Sequence, residues 1–238
     1  MHSGVPSDCP HIERLGYTGD GQLCCEAAMM LLDSQKFYQK WLEDISDCQS
    51  TDNGHVQHTA PFMGGGGGPA GWGGAIAVVP YEMYKIYGDR ETFRRYLPKI
   101  LRYFDYLDSR SSGGLVCREE QGGWCLGDWC TPEPIAICEQ FVNTALCVKQ
   151  MLMTKEAAEA IGKNETAQML GRRIEEKRQA ILNAYYSPQT GSFIGDVQGA
   201  NSFATDIGLG GERAYENTRK KYSAADSFDT GIFGTDIL

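Results

Sequence analysis

Stretches with a helical repeat recur along this chain, joined by tight turns within a pair and set apart by long loops, two of them rich in glycine, between pairs. In SQKFYQKWLEDISDCQ, Phe37, Trp41, Ile45 and Cys48 fall at spacings of four, four and three, with Lys40, Glu43 and Asp47 on the other side. That spacing lines the apolar side chains along one face of a helix. The preceding GQLCCEAAMMLLD is apolar nearly all round, as a buried helix would be, and so short a connection to the next helix predicts an antiparallel hairpin. Residues 50 to 74 then form a long loop ending in GGGGGPAGWGG. Helical character returns in AIAVVPYEMYKIYGD, with Pro80 expected at a first turn or a kink. It continues in RETFRRYLPKILRYFDYLDSR, where Phe93, Leu97, Leu101, Phe104 and Leu107 mark the inner stripe and Asp89 is the expected N-cap.

The same alternation repeats downstream. GGLVCREEQGGWCLGDWCTPEP, residues 113 to 134, breaks the helical rhythm with glycines, prolines and two tryptophans. Helices are expected at 135 to 153 and at 164 to 185, the second capped by Asn164. SPQTGSF reads as a turn, QGANSFATDIGLG as a short helix, GERAYENTRKKY as another, and SFDTGIFGTDIL as the tail. Strand alternation is scarce, so the fold class is all-α. Hairpins whose long loops all occupy the same kind of connection suggest a toroid with the loops gathered on one rim. No short sequence repeat accompanies the structural one.

Composition narrows the function. The formal charge is −9, and the basic residues form no stripe, so nucleic acid and anionic membranes are excluded as expected partners. No stretch approaches the ~20 apolar residues of a membrane span, and no signal peptide is visible. The nine cysteines include no CxxC pair. Most read as small buried hydrophobes in a reducing compartment, which makes the cytoplasm the expected location. Metal-type spacing is missing, and neither a metal nor a cofactor is expected.

Candidate chemistry sits in the loops. SDCPHIERLGYTGDGQ, residues 7 to 22, packs Asp8, Glu13 and Asp20 with Arg14 among glycines. The second loop contributes Trp72, and the third Trp124, Asp128 and Trp129. Tryptophan faces stack on the apolar C–H patches of a pyranose while carboxylates take its hydroxyls, and paired acids cleave glycosidic bonds. Structural alternatives stand beside these roles. Trp72 could plug a helix end, Trp124 is more structural in character than Trp129, Asp20 could cap a helix starting at Gly21, and Arg14 could be an ion-pair partner. His55 and His58, three apart in GHVQH, lack metal-binding companions and read as structural or substrate-orienting. The glycines at 64 to 68 have no following Lys-Ser/Thr and do not form a phosphate loop.

DCPHIERLGYTGDGQ resembles the signature of bacterial α-L-rhamnosidases, glycoside hydrolases with an (α/α)6-barrel catalytic domain. HTAPF, GPAGWGGAIAVVPYEMYKIYGD, GDW, SPQTGSF and FDTGIFGT follow in the order and rough spacing of that family, so the resemblance spans essentially the whole chain. It implies an (α/α)6 toroid, incomplete at both ends, with residues 1–238 forming part of the catalytic barrel and flanking β-sandwich domains absent. It also implies inverting hydrolysis of terminal α-L-rhamnosides, with a rhamnose-containing oligosaccharide or glycoside as ligand. Glu13 becomes the general acid. Asp8 and Asp20 hold sugar hydroxyls, Trp72 and Trp129 wall the sugar, and Tyr17 takes a place where members often carry Trp. Arg14 and Asp128 complete the expected binding set. Two neighbouring negative charges and partial burial are expected to keep Glu13 protonated.

In relatives the general base, a second Glu about 6.5–9.5 Å across the sugar, belongs to a Trp-Glu-x-Trp segment downstream of the FGT stretch. The chain ends before it. The expectation is therefore a fragment with open apolar faces, poorly soluble or associating as a homo-oligomer, and nearly inactive alone. Another (α/α)6-barrel glycosidase or a non-catalytic carbohydrate-binding barrel are the alternatives.

Overall fold

A computed structural model of the chain describes residues 4–9, 11–64, 66–118, 120, 123 and 126–238. Trp124 and Cys125 lie outside the described residues. The helices are α1 (Thr18–Leu23), α2 (Cys25–Leu31), α3 (Gln35–Asp47), α4 (Ala75–Tyr87), α5 (Arg90–Ser109), α6 (Glu139–Ala160), α7 (Asn164–Tyr185), α8 (Ala200–Asp206), α9 (Gly211–Ser223) and α10 (Ile232–Ile237). Two miniature antiparallel hairpins follow the long helices α5 and α7: β1 (Ser111–Ser112) with β2 (Leu115–Val116), and β3 (Tyr186–Ser187) with β4 (Ser192–Phe193). The second is the turn read from SPQTGSF.

Burial sorts the helices into two layers. In α4, Ala75, Ile76, Ala77, Val79, Pro80, Tyr81 and Met83 are buried, which covers every side of the helix. The middle of α6 is enclosed in the same way from Phe141 to Val148. Helices buried all round must be flanked on all sides, and these are: α1 and α2 pack on α4, α4 on α6, α6 on α8 and α8 on α10. The outer layer is one-sided. In α5 the stripe Phe93, Leu97, Phe104 and Leu107 is buried with Tyr96, Ile100 and Tyr103, while Arg94 and Arg102 face outward. Helix α3 packs on α4, α5 on α4 and α6, α7 along α6, and α9 on α8. The result is an arc of inner–outer helix pairs, but α2 and α3, expected to form an antiparallel hairpin, each pack chiefly on α4 instead.

Several boundaries differ from expectation. The first helix begins at Thr18, three residues early, and breaks at Cys24 into α1 and α2. Helices α2 and α3 both rest on α4, and the corner between them is held by Tyr87 of α4, whose hydroxyl lies within hydrogen-bond reach of Met29 O (3.0 Å) and Leu32 O (3.1 Å) and shares its one proton between them. Helix α6 starts at Glu139 rather than 135 and runs on to Ala160, with Ala157 and Ala158 still buried beyond residue 153. Asn164 is the first residue of α7 and does not cap it. Asp89 does cap α5, accepting from Thr92 N at 2.9 Å. Pro80 lies well inside α4, beyond its first turn. Of the eight described cysteines, all free, only Cys25 and Cys147 are fully buried; Cys24 and Cys130 are exposed, contrary to the reading of most as buried hydrophobes.

Candidate active site

The segment leading into α1 is pinned against the loop before α4. Thr18 N donates to His58 O at 2.8 Å, Ala60 N to Gly16 O at 2.9 Å, and the Thr18 hydroxyl reaches His58 O at 3.1 Å. Gly16 is required by this approach, since a Cβ there would lie 2.4 Å from Ala60 O. Trp41 of α3, fully buried, supports the same strand-like pair by donating from Nε1 to Ala60 O at 3.0 Å. Gln22 of α1 ties the next loop in, its side-chain amide donating to Gly71 O (2.9 Å) and Trp72 O (3.2 Å).

These ties bring three separate loops to one cleft of about 520 Å³, lined by Asp8, Glu13, Tyr17, Asp20, His58, Trp72, Leu126 and Trp129. Trp72 forms the floor. It is 5 % exposed, tilts against the His58 ring at 5.4 Å and meets the Phe233 ring edge-on at 5.6 Å. Gly19 lets α1 cross that floor, because a Cβ would fall 2.5 Å from the Trp72 indole. Trp129, 43 % exposed, offers its ring to the cleft. Trp72 is thus both the packed plug and the lining residue that the sequence offered as alternatives.

Within the cleft a carboxylate oxygen of Asp8, one of Glu13 and the Cys9 sulfur all lie within 4.8 Å of one another. The loop closes through Asp8 N donating to Leu15 O at 2.9 Å and Ile12 N to Cys9 O at 2.8 Å. Glu13 first and Asp8 second hold the proton on the Cys9 thiol, pushing it up to about 11. This trio has the spacing to gather around a cation, and Asp20 is not part of it.

The burial expected at Glu13 falls elsewhere. Glu13 is exposed, because residues 11–14 turn on the surface rather than entering a helix. Asp20 sits inside the first turn of α1 and is half-buried. Burial first, then the charges of Asp8 and Glu13, push its carboxyl above the usual range, against the opposing pull of a backbone hydrogen bond. Burial and then the same acids also raise Tyr17. His58 is displaced the other way: enclosure, and then His55, lower it to about 4, so the imidazole is neutral at physiological pH.

Two of the expected binding residues are not among those lining the cleft. Arg14 is exposed on a left-handed turn at φ 58°. Asp128 is fully enclosed, and its carboxylate accepts from Gly231 N at 2.7 Å and from Phe233 N and Gly234 N at 3.0 Å each. Three of its roughly four acceptor sites are taken by backbone amides, and its full enclosure keeps the carboxylate off the cleft wall. In exchange the structure adds Leu126 and His58. No pattern marks Leu126, whereas His58 was visible in HTAPF as a histidine without metal partners.

The cleft combines three aromatic side chains (Tyr17, Trp72 and Trp129), three acids and a neutral imidazole, an arrangement suited to holding a sugar and delivering a proton to it. A family profile described as the bacterial alpha-L-rhamnosidase 6 hairpin glycosidase domain matches residues 1–238. An alpha-L-rhamnosidase of Streptomyces avermitilis is 34% identical over 208 residues, 86% of this chain and 19% of the relative. The solved structure of Streptomyces avermitilis alpha-L-rhamnosidase complexed with L-rhamnose superposes with a TM-score of 0.83 at 30% identity, over 97% of this chain and 22% of that one. The fold is also that of the alpha-L-rhamnosidase from Dictyoglumus thermophilum, at a TM-score of 0.85 and 21% identity over 98% of this chain and 27% of the other. The chain thus spans about a fifth of the length of the Streptomyces avermitilis relative.

Proposed function

Because the chain belongs to the bacterial α-L-rhamnosidase six-hairpin glycosidase domain family, we propose that its cleft binds a terminal α-L-rhamnose and supplies the acid half of an inverting hydrolysis. The observation that carries this is the convergence of Asp8, Glu13 and Asp20 with Trp72 and Trp129 on one cavity. Glu13, exposed at the mouth, has the access to solvent and leaving group that a proton donor needs. Asp20 and Asp8 take hydroxyls deeper in. Neutral His58 adds a hydrogen-bonding edge without cancelling the acids' charge.

Hydrolysis by inversion needs two carboxyl groups on opposite faces of the sugar, with room for a water between them. In this proposal Glu13 protonates the glycosidic oxygen as the bond to the anomeric carbon breaks. Water attacks that carbon from the other face and gives its proton to a base. The base role is assigned to none of the cleft residues. No helix among the described residues is long and apolar enough to cross a membrane, and the ligand is proposed to be a rhamnose-bearing oligosaccharide or glycoside met in aqueous solution.

Aryl α-L-rhamnoside, β-glucoside and β-glucuronide substrates offered to the full gene product test the proposal. Turnover of the rhamnoside alone, with NMR showing the inverted anomer of rhamnose as first product, is expected. Faster turnover of either other sugar would replace rhamnose as the substrate.

A further inference from the structure

We propose that Asp128 is a positioning residue, whose carboxylate clamps the start of α10 and thereby fixes Trp129 as a wall of the cleft. The inference rests on the functional reading above and deepens it. Helix α10 begins after Gly231, which has no side chain to accept the first free amides. Asp128 supplies that acceptor from more than a hundred residues away, taking Gly231 N on one oxygen and Phe233 N and Gly234 N on the other. Free helix-start amides need such partners, and an ionised carboxylate bonds them more strongly than a neutral acceptor.

The clamp reaches the cleft by two routes. Ile232 N donates to Trp129 O at 2.8 Å, so the residue next to Asp128 is held by the same turn. Phe233, inside that turn, packs edge-on against Trp72 at 5.6 Å. Space around the carboxylate is closed: a Cβ at residue 231 would lie 2.3 Å from Trp129 O, and one at residue 234 would lie 2.6 Å from Asp128 Oδ2. Only glycine fits at either position, so Asp128, Trp129, Gly231 and Gly234 interlock. Burial pushes the Asp128 carboxyl upward while the three amides pull it back.

The test is a double-mutant cycle on the full gene product. Asp128→Asn turns an amide NH2 against one backbone N–H group. It should raise KM for an aryl rhamnoside about tenfold, close to the effect of Trp129→Ala, with kcat changed much less. In the Trp129→Ala background it should add no more than about twofold. Gly234→Ala, which crowds the clamp without altering its charge, should reproduce the KM rise, and it replaces Asp128→Asn in the cycle if that variant does not fold. Additive effects, or a Gly234→Ala enzyme with the parent KM, would overturn the proposal. Amide exchange of residues 231–234 separates the two levels of the claim, since it needs no substrate. Exchange unchanged in Asp128→Asn overturns the clamp alone, whereas a parent that binds no L-rhamnose overturns the functional reading and the positioning role together.

Discussion

At the scale of single residues, the acids of the cleft divide by environment rather than by type. Asp20 resists ionisation because it is half-buried and faces Asp8 and Glu13. A carboxyl whose folded pKa is raised contributes full stability below its unfolded value and loses it as pH climbs through the folded one. Asp20→Asn should therefore raise Tm at pH 8 and leave it nearly unchanged at pH 3, while weakening L-rhamnose binding by tenfold or more. Thermal scans at the two pH values with calorimetric titration check both halves. A variant less stable than the parent at pH 8 would show that the carboxylate is welcome where it sits. The crowding of carboxylates was legible in residues 7 to 22, but which of them is enclosed was not. Enclosure depends on where the helix starts, and Thr18 rather than Gly21 begins α1 because its amide and hydroxyl are taken by His58 O across the loop.

At the scale of elements, helical periodicity revealed α3, α5 and α7, whose apolar stripes face one way, whereas α9 is mostly polar and buries only Ala214. Periodicity also gave the class of α4 and α6, where apolar residues encircle the helix. Features without a local sequence signal escaped it: the break at Cys24, the support of α2 and α3 by Tyr87, and the clamp at Asp128, whose partners are backbone amides 103 to 106 residues away. The capping prediction at Asp89 held, and the structure enlarges its role. Besides Thr92 N, the carboxylate accepts from the Thr92 hydroxyl (2.7 Å) and from Gln35 and Gln39 of α3 (3.0 Å each), so one acid both starts α5 and ties it to the neighbouring outer helix. Loss of an N-cap alone costs about 1 kcal/mol, and the bonds to α3 add to it. Asp89→Ala should lose about 1–2 kcal/mol in urea titration with activity retained at 25 °C. A loss indistinguishable from zero would remove Asp89 from the α3–α5 junction.

Across the whole molecule, two enclosed groups of opposite kind titrate through the same window. Glu82 on α4 lines a cavity of about 130 Å³ between the inner helices, facing Glu26, Lys85, Lys149 and Asp236. Burial, and then Glu26, lift it to about 7. Its contribution to stability is intact below its ordinary value of 4.5 and fades as pH rises through 7. His58 does the reverse: its contribution is intact above 6.5 and fades as pH falls through 4. The two slopes oppose each other, so this pair leaves the parent's Tm nearly level between pH 4 and 7, and single variants unmask each slope. Glu82→Gln should gain a few degrees in Tm at pH 8 and little at pH 4. His58→Gln should lose less stability than the parent on acidification from pH 6.5 to 4. Parallel pH profiles for parent and variants would remove both groups from the balance.

The central claim joins these scales: a cleft built by three loops on the inner helices presents Glu13 as the proton donor to a departing rhamnoside. Its most direct measurement is kcat/KM of the full gene product and of Glu13→Gln for an α-L-rhamnoside with a poor leaving group, beside L-rhamnose affinity by calorimetry. A loss of about 10²–10⁴ in kcat/KM is predicted, the span typical of general acid catalysis, with the affinity for L-rhamnose kept. Hydrolysis by Glu13→Gln at the parent's rate would contradict it.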